Sequence, residues 1–136
     1  MRMKIANTIL LLAALYNIAW GGYTSLFPDY MLFGEAPSTL IMIYIRCIGM
    51  LVGVYGIAYY MASLDPVKYW PLILTGLIGK VLGPIGAFYY VYSGKLEANF
   101  LYINLFNDLI WIIPFSWILL EIHRGRLKLV SEQPVP

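Results

Sequence analysis

Apolar residues fall into four long runs separated by short polar segments, at about 5–27, 38–62, 70–92 and 99–121. A helix needs roughly 20 apolar residues to cross a bilayer, and each run is that long or longer. Within the runs the polar and small residues recur every three or four positions, the spacing of one helical face. The pattern predicts an all-α fold: a single integral membrane four-helix bundle, with 122–136 as a basic, mobile cytoplasmic tail. The connections at 28–38, 63–69 and 93–98 carry the proline, glycine, aspartate and serine of turns. The first connection, with Asp29, Gly34 and Glu35, is expected to lie on the membrane surface.

Arg2 and Lys4 ahead of the first run resemble a secretory leader. The run is nevertheless long for a cleaved segment and lacks a small-x-small site before Pro28, which predicts a retained helix. On it Ala13, Asn17, Trp20 and Thr24 share a face. The second helix carries Arg46, then Gly49, Gly53 and Gly56; Gly49 and Gly53 form a GxxxG pair that lets a neighbouring backbone come close. Pro71 sits early in the third helix, where a missing N–H costs nothing. Further along, Gly76, Gly79, Gly83 and Gly86 form a stripe expected to face the other helices. Pro84, just past Lys80, frees backbone carbonyls.

Composition narrows the class. Of 136 residues, 61% are hydrophobic and only 12% charged, with mean hydropathy +0.75. That is about half the charge of a soluble domain. The net charge of +2, with basic residues at span ends rather than on one face, is too small to suggest binding, and no nucleic-acid partner is expected. Arg2, Lys4, Lys68, Arg124, Arg126 and Lys128 fall on one side of the spans and Lys95 alone on the other, which predicts cytoplasmic termini. Tyr23, Tyr30, Tyr69, Trp70, Tyr89, Tyr90 and Tyr92 mark interfacial belts. Cys47, the only cysteine, reads as an inert core thiol among apolar neighbours, and excludes a Cys-x-x-Cys pair. His123 marks a membrane boundary, and no cluster of side chains predicts a metal.

The candidate chemistry lies mid-span. Arg46, Lys80 and Asp108 are formal charges inside the runs, each costing about 2.5–3.5 kcal/mol if left unpaired at a helix centre. At similar predicted depth, Asp108 can neutralise one cation but not both. The surplus is met by a neutral Lys80, by a bound anion or headgroup, or by water. Asn104, Asp108 and Trp111 share a face of the fourth helix. With Asn107 beside them and Asn17 and Trp20 from the first helix, they predict a polar pocket opening toward the outer half of the membrane. The alternative is a network that only fixes helix order.

Four helices in this length, a first span ending at Pro28, and Arg46 leading into Gly49, Gly53 and Gly56 resemble the DoxX-like small membrane proteins of bacteria. The blocks GLIGKVLGPIG (76–86) and NDLIWIIPF (107–115) are similar to small bacterial membrane proteins of unassigned activity, some labelled alkyl hydroperoxide reductase. The cysteine pair that label implies is missing from this chain. Asp108, Asn104 or Asn107, and Trp111 also resemble the carboxylate, amide and indole set of the sterol-isomerase and sigma-2-receptor bundles. That class has a second intramembrane acid, absent here, so its catalysis does not carry over.

No phosphate-binding loop, zinc-protease, hydrolase or dinucleotide motif occurs in the chain. The leading expectation is an inner-membrane protein that binds an amphipathic ligand, a lipid or a quinone, and acts as an accessory to an envelope or respiratory complex. The alternatives are a proton-linked permease, and a noncatalytic assembly subunit or homo-oligomer docking by its glycine faces.

Overall fold

The computed structural model describes residues 1–32 and 38–128. Gly34 and Glu35 of the first connection, and residues 129–136 of the tail, lie outside the described residues. Each apolar run is one helix: α1 (Arg2–Leu26), α2 (Thr39–Leu64), α3 (Trp70–Tyr92) and α4 (Phe100–His123). All four are long and apolar enough to cross a membrane, and large apolar side chains are exposed on every one of them. Such an exterior suits hydrocarbon rather than water.

Residue 1, residues 124–128 and the α2–α3 turn lie at one end of the bundle, here the terminal end; the ends of α1 and α3 and the starts of α2 and α4 form the loop end. Local chemistry stops each helix. Ser38 caps α2 by accepting the Ile41 N–H at 3.2 Å. Asp65 Oδ1 accepts the Val67 and Lys68 amides at 3.2 and 3.1 Å, which turns the chain into α3. Gly94 and Gly125 have φ of +68° and +63°, and each ends a helix with a six-to-one bond, Lys95 N–H to Tyr90 O and Arg126 N–H to Glu121 O. The second of these reversals tucks Leu127 into the core. Arg2 and Arg126 both donate to the buried Glu121 carboxylate, tying the two chain ends together. The tail therefore starts as packed chain, against the expectation that it is mobile from residue 122.

Hydrocarbon supplies no hydrophobic drive between helices, so close packing must hold them. A methyl at Gly21 would lie 2.5 Å from Gly49 O and Gly53 N; one at Gly49 would lie 2.5 Å from Ser25 Oγ; one at Gly56 would lie 2.9 Å from Ala14 O. Gly49 of the GxxxG pair therefore seats α2 on α1 of the same chain, whereas a methyl at Gly53 meets nothing within 4 Å. The α3 stripe divides. Gly76 faces the Tyr59 ring and Gly83 faces Asp108, whereas Gly79 and Gly86 meet nothing within 4 Å. Small size alone did not distinguish the inward positions, which are Ile73, Gly76, Lys80, Pro84 and Ala87.

The main apolar core is confined to the terminal half, where Leu10, Tyr59, Ile73, Phe115 and Ile118 are fully buried. Tyr59 and Phe115 meet edge to face at 5.0 Å between ring centres. Toward the loop end the buried positions pair within α1–α2 (Gly21, Thr24, Ile45, Gly49) and within α3–α4 (Pro84, Ala87, Asn104). Among the described residues the bundle is thus two helix pairs whose shared apolar core lies at one end.

Gly49→Ala is expected to lose about 1–3 kcal/mol through overpacking of the α1–α2 seam, and Gly22→Ala, with open space at its methyl, to lose none. Reversible unfolding in detergent micelles measures both, and equal effects would contradict the assigned seam.

Candidate functional site

The site forms where the two helix pairs part. Lys80 Nζ lies 3.7 Å from Asp108 Oδ1, with side chains only 6% and 10% exposed. It also donates to the Asn107 carbonyl at 2.6 Å. Asn107 Nδ2 donates to Asp108 Oδ1 and Asn104 Nδ2 to Asp108 Oδ2, each at 3.0 Å. The carboxylate thus receives two amides and faces an ammonium, the compensation that a charge removed from water requires.

A change of helical winding makes this possible. Residues Leu105–Leu109 of α4 form a π-helical turn between α-helical Phe100–Asn104 and Ile110–His123, and the Ile110 N–H reaches back five residues to Leu105 O. The wide turn re-spaces the carbonyls and brings that of Asn107 onto Lys80. Pro84, buried in α3, has no N–H for the carbonyl of Lys80 itself, and Pro114 none for that of Ile110. Gly83 leaves room for the carboxylate, since a methyl there would lie 3.0 Å from Asp108 Oδ2.

Beside the ion pair is a cavity of about 170 Å³ to which all four helices contribute: Asn17 from α1; Val52, Tyr55 and Tyr59 from α2; Gly76, Gly79 and Lys80 from α3; Asn107 and Asp108 from α4. Tyr55 and Gly79 are exposed, so the cavity opens sideways between α2 and α3. The buried oxygens Asn17 Oδ1 and Asn107 Oδ1 have no hydrogen-bond partner among the described residues. A larger cavity of about 360 Å³ lies at the loop end between Met31, Leu32 and Ile41 and the 94–100 segment. None of its lining residues holds an unpartnered buried polar atom, so the mid-span cavity is the candidate site.

Of the residues expected at the site, Asp108, Lys80, Asn17, Asn104 and Asn107 gather here, although Asn104 stands behind the carboxylate and does not line the cavity. Trp111 does not line it either. Its ring packs on Tyr16 and Phe115 at 5.8 and 6.2 Å, and its Nε1 is buried without a partner. Trp20 is half-buried and off the lining.

Arg46 is the main correction. It is exposed, and its guanidinium donates to the Ser25 carbonyl in the last turn of α1 at 3.0 Å, while the Ser25 hydroxyl donates to the Arg46 carbonyl at 3.3 Å. Arg46 lies toward the loop end, level with the last turn of α1, whereas the α2 residues beside the ion pair are Val52, Tyr55 and Tyr59, and its orientation differs as well. The inward positions of α2 are Ile45, Gly49, Gly56 and Tyr59, and the next residue after Ile45 points about 100° away. The end of α1 also offers carbonyls with no helical donor. With Arg46 elsewhere, Lys80 and Asp108 balance one to one and the expected surplus of positive charge is gone. Cys47 is likewise exposed on the outer face of α2 and is no core thiol.

Sequence reasoning missed Tyr55, Tyr59 and Val52 as cavity walls and the Glu121 cluster at the terminal end. The inward series Gly49, Gly56, Tyr59 and Ala62 carried the signal for Tyr59. Glu121, the last acid before three cations, carried the other. No family model, no curated protein and no solved structure matches the chain. The site is characterised by its own residues alone.

Lys80→Met leaves the buried carboxylate without its cation and is expected to cost about 3–5 kcal/mol. Adding Asp108→Asn should recover about 1–3 kcal/mol of that loss. A double-mutant cycle by unfolding in micelles measures this, and strictly additive losses would show that the two side chains do not meet.

Proposed function

We propose that the chain is a multi-pass inner-membrane protein, with both termini cytoplasmic, whose lateral mid-span cleft holds the polar head of an amphipathic ligand, a lipid or a quinone. The observation that carries this reading is the cavity's combination of features. A buried ion pair stands in its wall, the polar side chains of Asn17, Tyr55, Tyr59 and Asn107 line it, and it opens between α2 and α3 on the apolar exterior of the bundle. An amphiphile diffusing in the bilayer reaches such a mouth with its head inward and its chain left among the lipids. Ligand sites commonly combine apolar walls with a few convergent polar groups.

Toward the terminal end the cleft is stopped by Tyr59, Ile73, Phe115 and Ile118, all fully buried. That plug favours binding over passage, and so favours the ligand site over a proton-linked permease. The exposed Arg46 guanidinium near the loop end suits a lipid phosphate on the outer surface of α2. The six cations at the terminal end support the cytoplasmic orientation. Kinship with the DoxX-like proteins and a role beside an envelope or respiratory complex belong to the same proposal; the first rests on Arg46 and its following glycines.

Gly79 stands at the mouth, and a methyl there meets nothing within 4 Å. Gly79→Phe is therefore expected to fill the entrance without loss of stability. Native mass spectrometry from mild detergent should find a retained lipophile on the wild type and about tenfold less on the variant at unchanged melting temperature. An unoccupied wild type, or equal occupancy in the two, would contradict the proposed site.

A further inference from the structure

Three cations of the terminal end converge on one cavity, which shares no residue with the mid-span cleft. We infer that this cavity, between the start of α1 and the chain beyond Gly125, is a headgroup site for an anionic phospholipid, held by Arg2, Arg126 and Lys128.

The site is built around Glu121, whose side chain is only 3% exposed. Arg2 and Arg126 each reach it with Nη1, Arg2 on Oε2 and Arg126 on Oε1 at 3.0 Å. Both carboxylate oxygens are therefore covered. The two guanidiniums remain about half exposed, and their other N–H groups have no partner among the described residues. The reversal at Gly125 fixes this geometry: the Arg126 N–H bonds to the Glu121 carbonyl at 2.9 Å, and Leu127 is buried in the core. With Met1, Met3 and Leu127, the side chains of Arg2, Arg126 and Lys128 line a cavity of about 480 Å³.

One carboxylate does not balance three cations, so the cavity keeps an excess of positive charge. An orientation bias alone would not gather them. Of the other cations at this end, Lys68 lies over the Tyr69 ring at 5.2 Å, and Lys4 lines a neighbouring cavity. A phosphodiester supplies the missing anion, because the guanidinium fork matches two phosphate oxygens and never loses its charge. The neighbouring cavity indicates what the phosphate is attached to. About 300 Å³ in volume, it adjoins the first at Met1 and runs along α1 past the exposed Ile5 to Thr8 and Ile9. A water-soluble phosphate ester would use the basic cavity alone. A phospholipid places its head there and an acyl chain against Ile5 and Ile9, with Lys4 at the boundary. Basic pockets at this level of a helix bundle recognise anionic lipid heads.

The test titrates phosphatidylglycerol and phosphatidylcholine of equal chain length into the intact protein in zwitterionic micelles and scores bound lipid by native mass spectrometry. Phosphatidylglycerol is expected to bind about tenfold tighter. Lys128→Gln, which breaks no bond among the described residues, should lower that preference about fivefold, the worth of one cation near a membrane surface, at unchanged melting temperature. Arg126→Gln, which leaves Arg2 on Glu121, should lower it at least as far. Lys68→Gln removes a cation of the same end that lies off the cavity and should leave the preference intact, as should Gly79→Phe, which closes the mid-span cleft. Equal binding of the two lipids, or equal losses in Lys68→Gln and Lys128→Gln, would overturn the inference. Loss of the preference in Gly79→Phe would overturn it too, by placing the lipid in the cleft. Full displacement of the lipid by soluble glycerophosphoglycerol would do the same, by showing a site for a free phosphate ester.

Discussion

The Lys80–Asp108 pair is the constraint around which the bundle is arranged. A cation and an anion placed singly in hydrocarbon would each cost several kcal/mol. The chain meets that cost by bringing them to 3.7 Å and surrounding them with hydrogen bonds. Doing so fixes the rotation of α3 and the depth of α4. It accounts for the π turn at Leu105–Leu109, which carries the Asn107 carbonyl to the ammonium, and for Gly83, whose missing side chain makes room for the carboxylate. Buried ion pairs are weak sources of net stability and strong specifiers of arrangement, and here the arrangement includes a cavity.

The rest of the molecule supports that cavity from two sides. The α1–α2 seam, closed by Gly21, Gly49 and Gly56, makes one rigid wall from which Asn17 and Tyr59 project. The aromatic and aliphatic plug in the terminal half joins the two helix pairs, and among the described residues no comparable apolar cluster lies above it. A cleft with its floor at the junction and its mouth toward lipid follows from this unequal packing. The Glu121 cluster with Arg2 and Arg126 then closes the terminal end beneath the plug.

Much of this was legible in the chain. Hydropathy alone located the four helices, α3 to the residue, because length and apolar composition are what a bilayer demands of a spanning segment. Asp108, Lys80 and Asn17 stood out for the same reason: polar groups are costly at that depth, so their presence marks a meeting point. Arg46 misled because facing, and the level a helix takes beside its neighbours, depend on which neighbour it packs against. Its guanidinium found the end of α1. The π turn left no trace in a pattern read at 3.6 residues per turn, and Leu127 was hidden because the reversal at Gly125 lies past the last apolar run.

The proposed site for the head of a membrane-dissolved molecule rests on the ion pair and the lateral opening beside it, and both require that Lys80 and Asp108 share one buried contact. Nitrogen–carbon dipolar recoupling by solid-state NMR on the protein in lipid bilayers, with Lys80 and residues 107–108 isotopically labelled, measures this directly. Strong dephasing of Lys80 Nζ by both Asp108 Cγ and the Asn107 carbonyl carbon is the predicted result. Absence of both, with Lys80 Nζ instead close to lipid phosphorus, would contradict it.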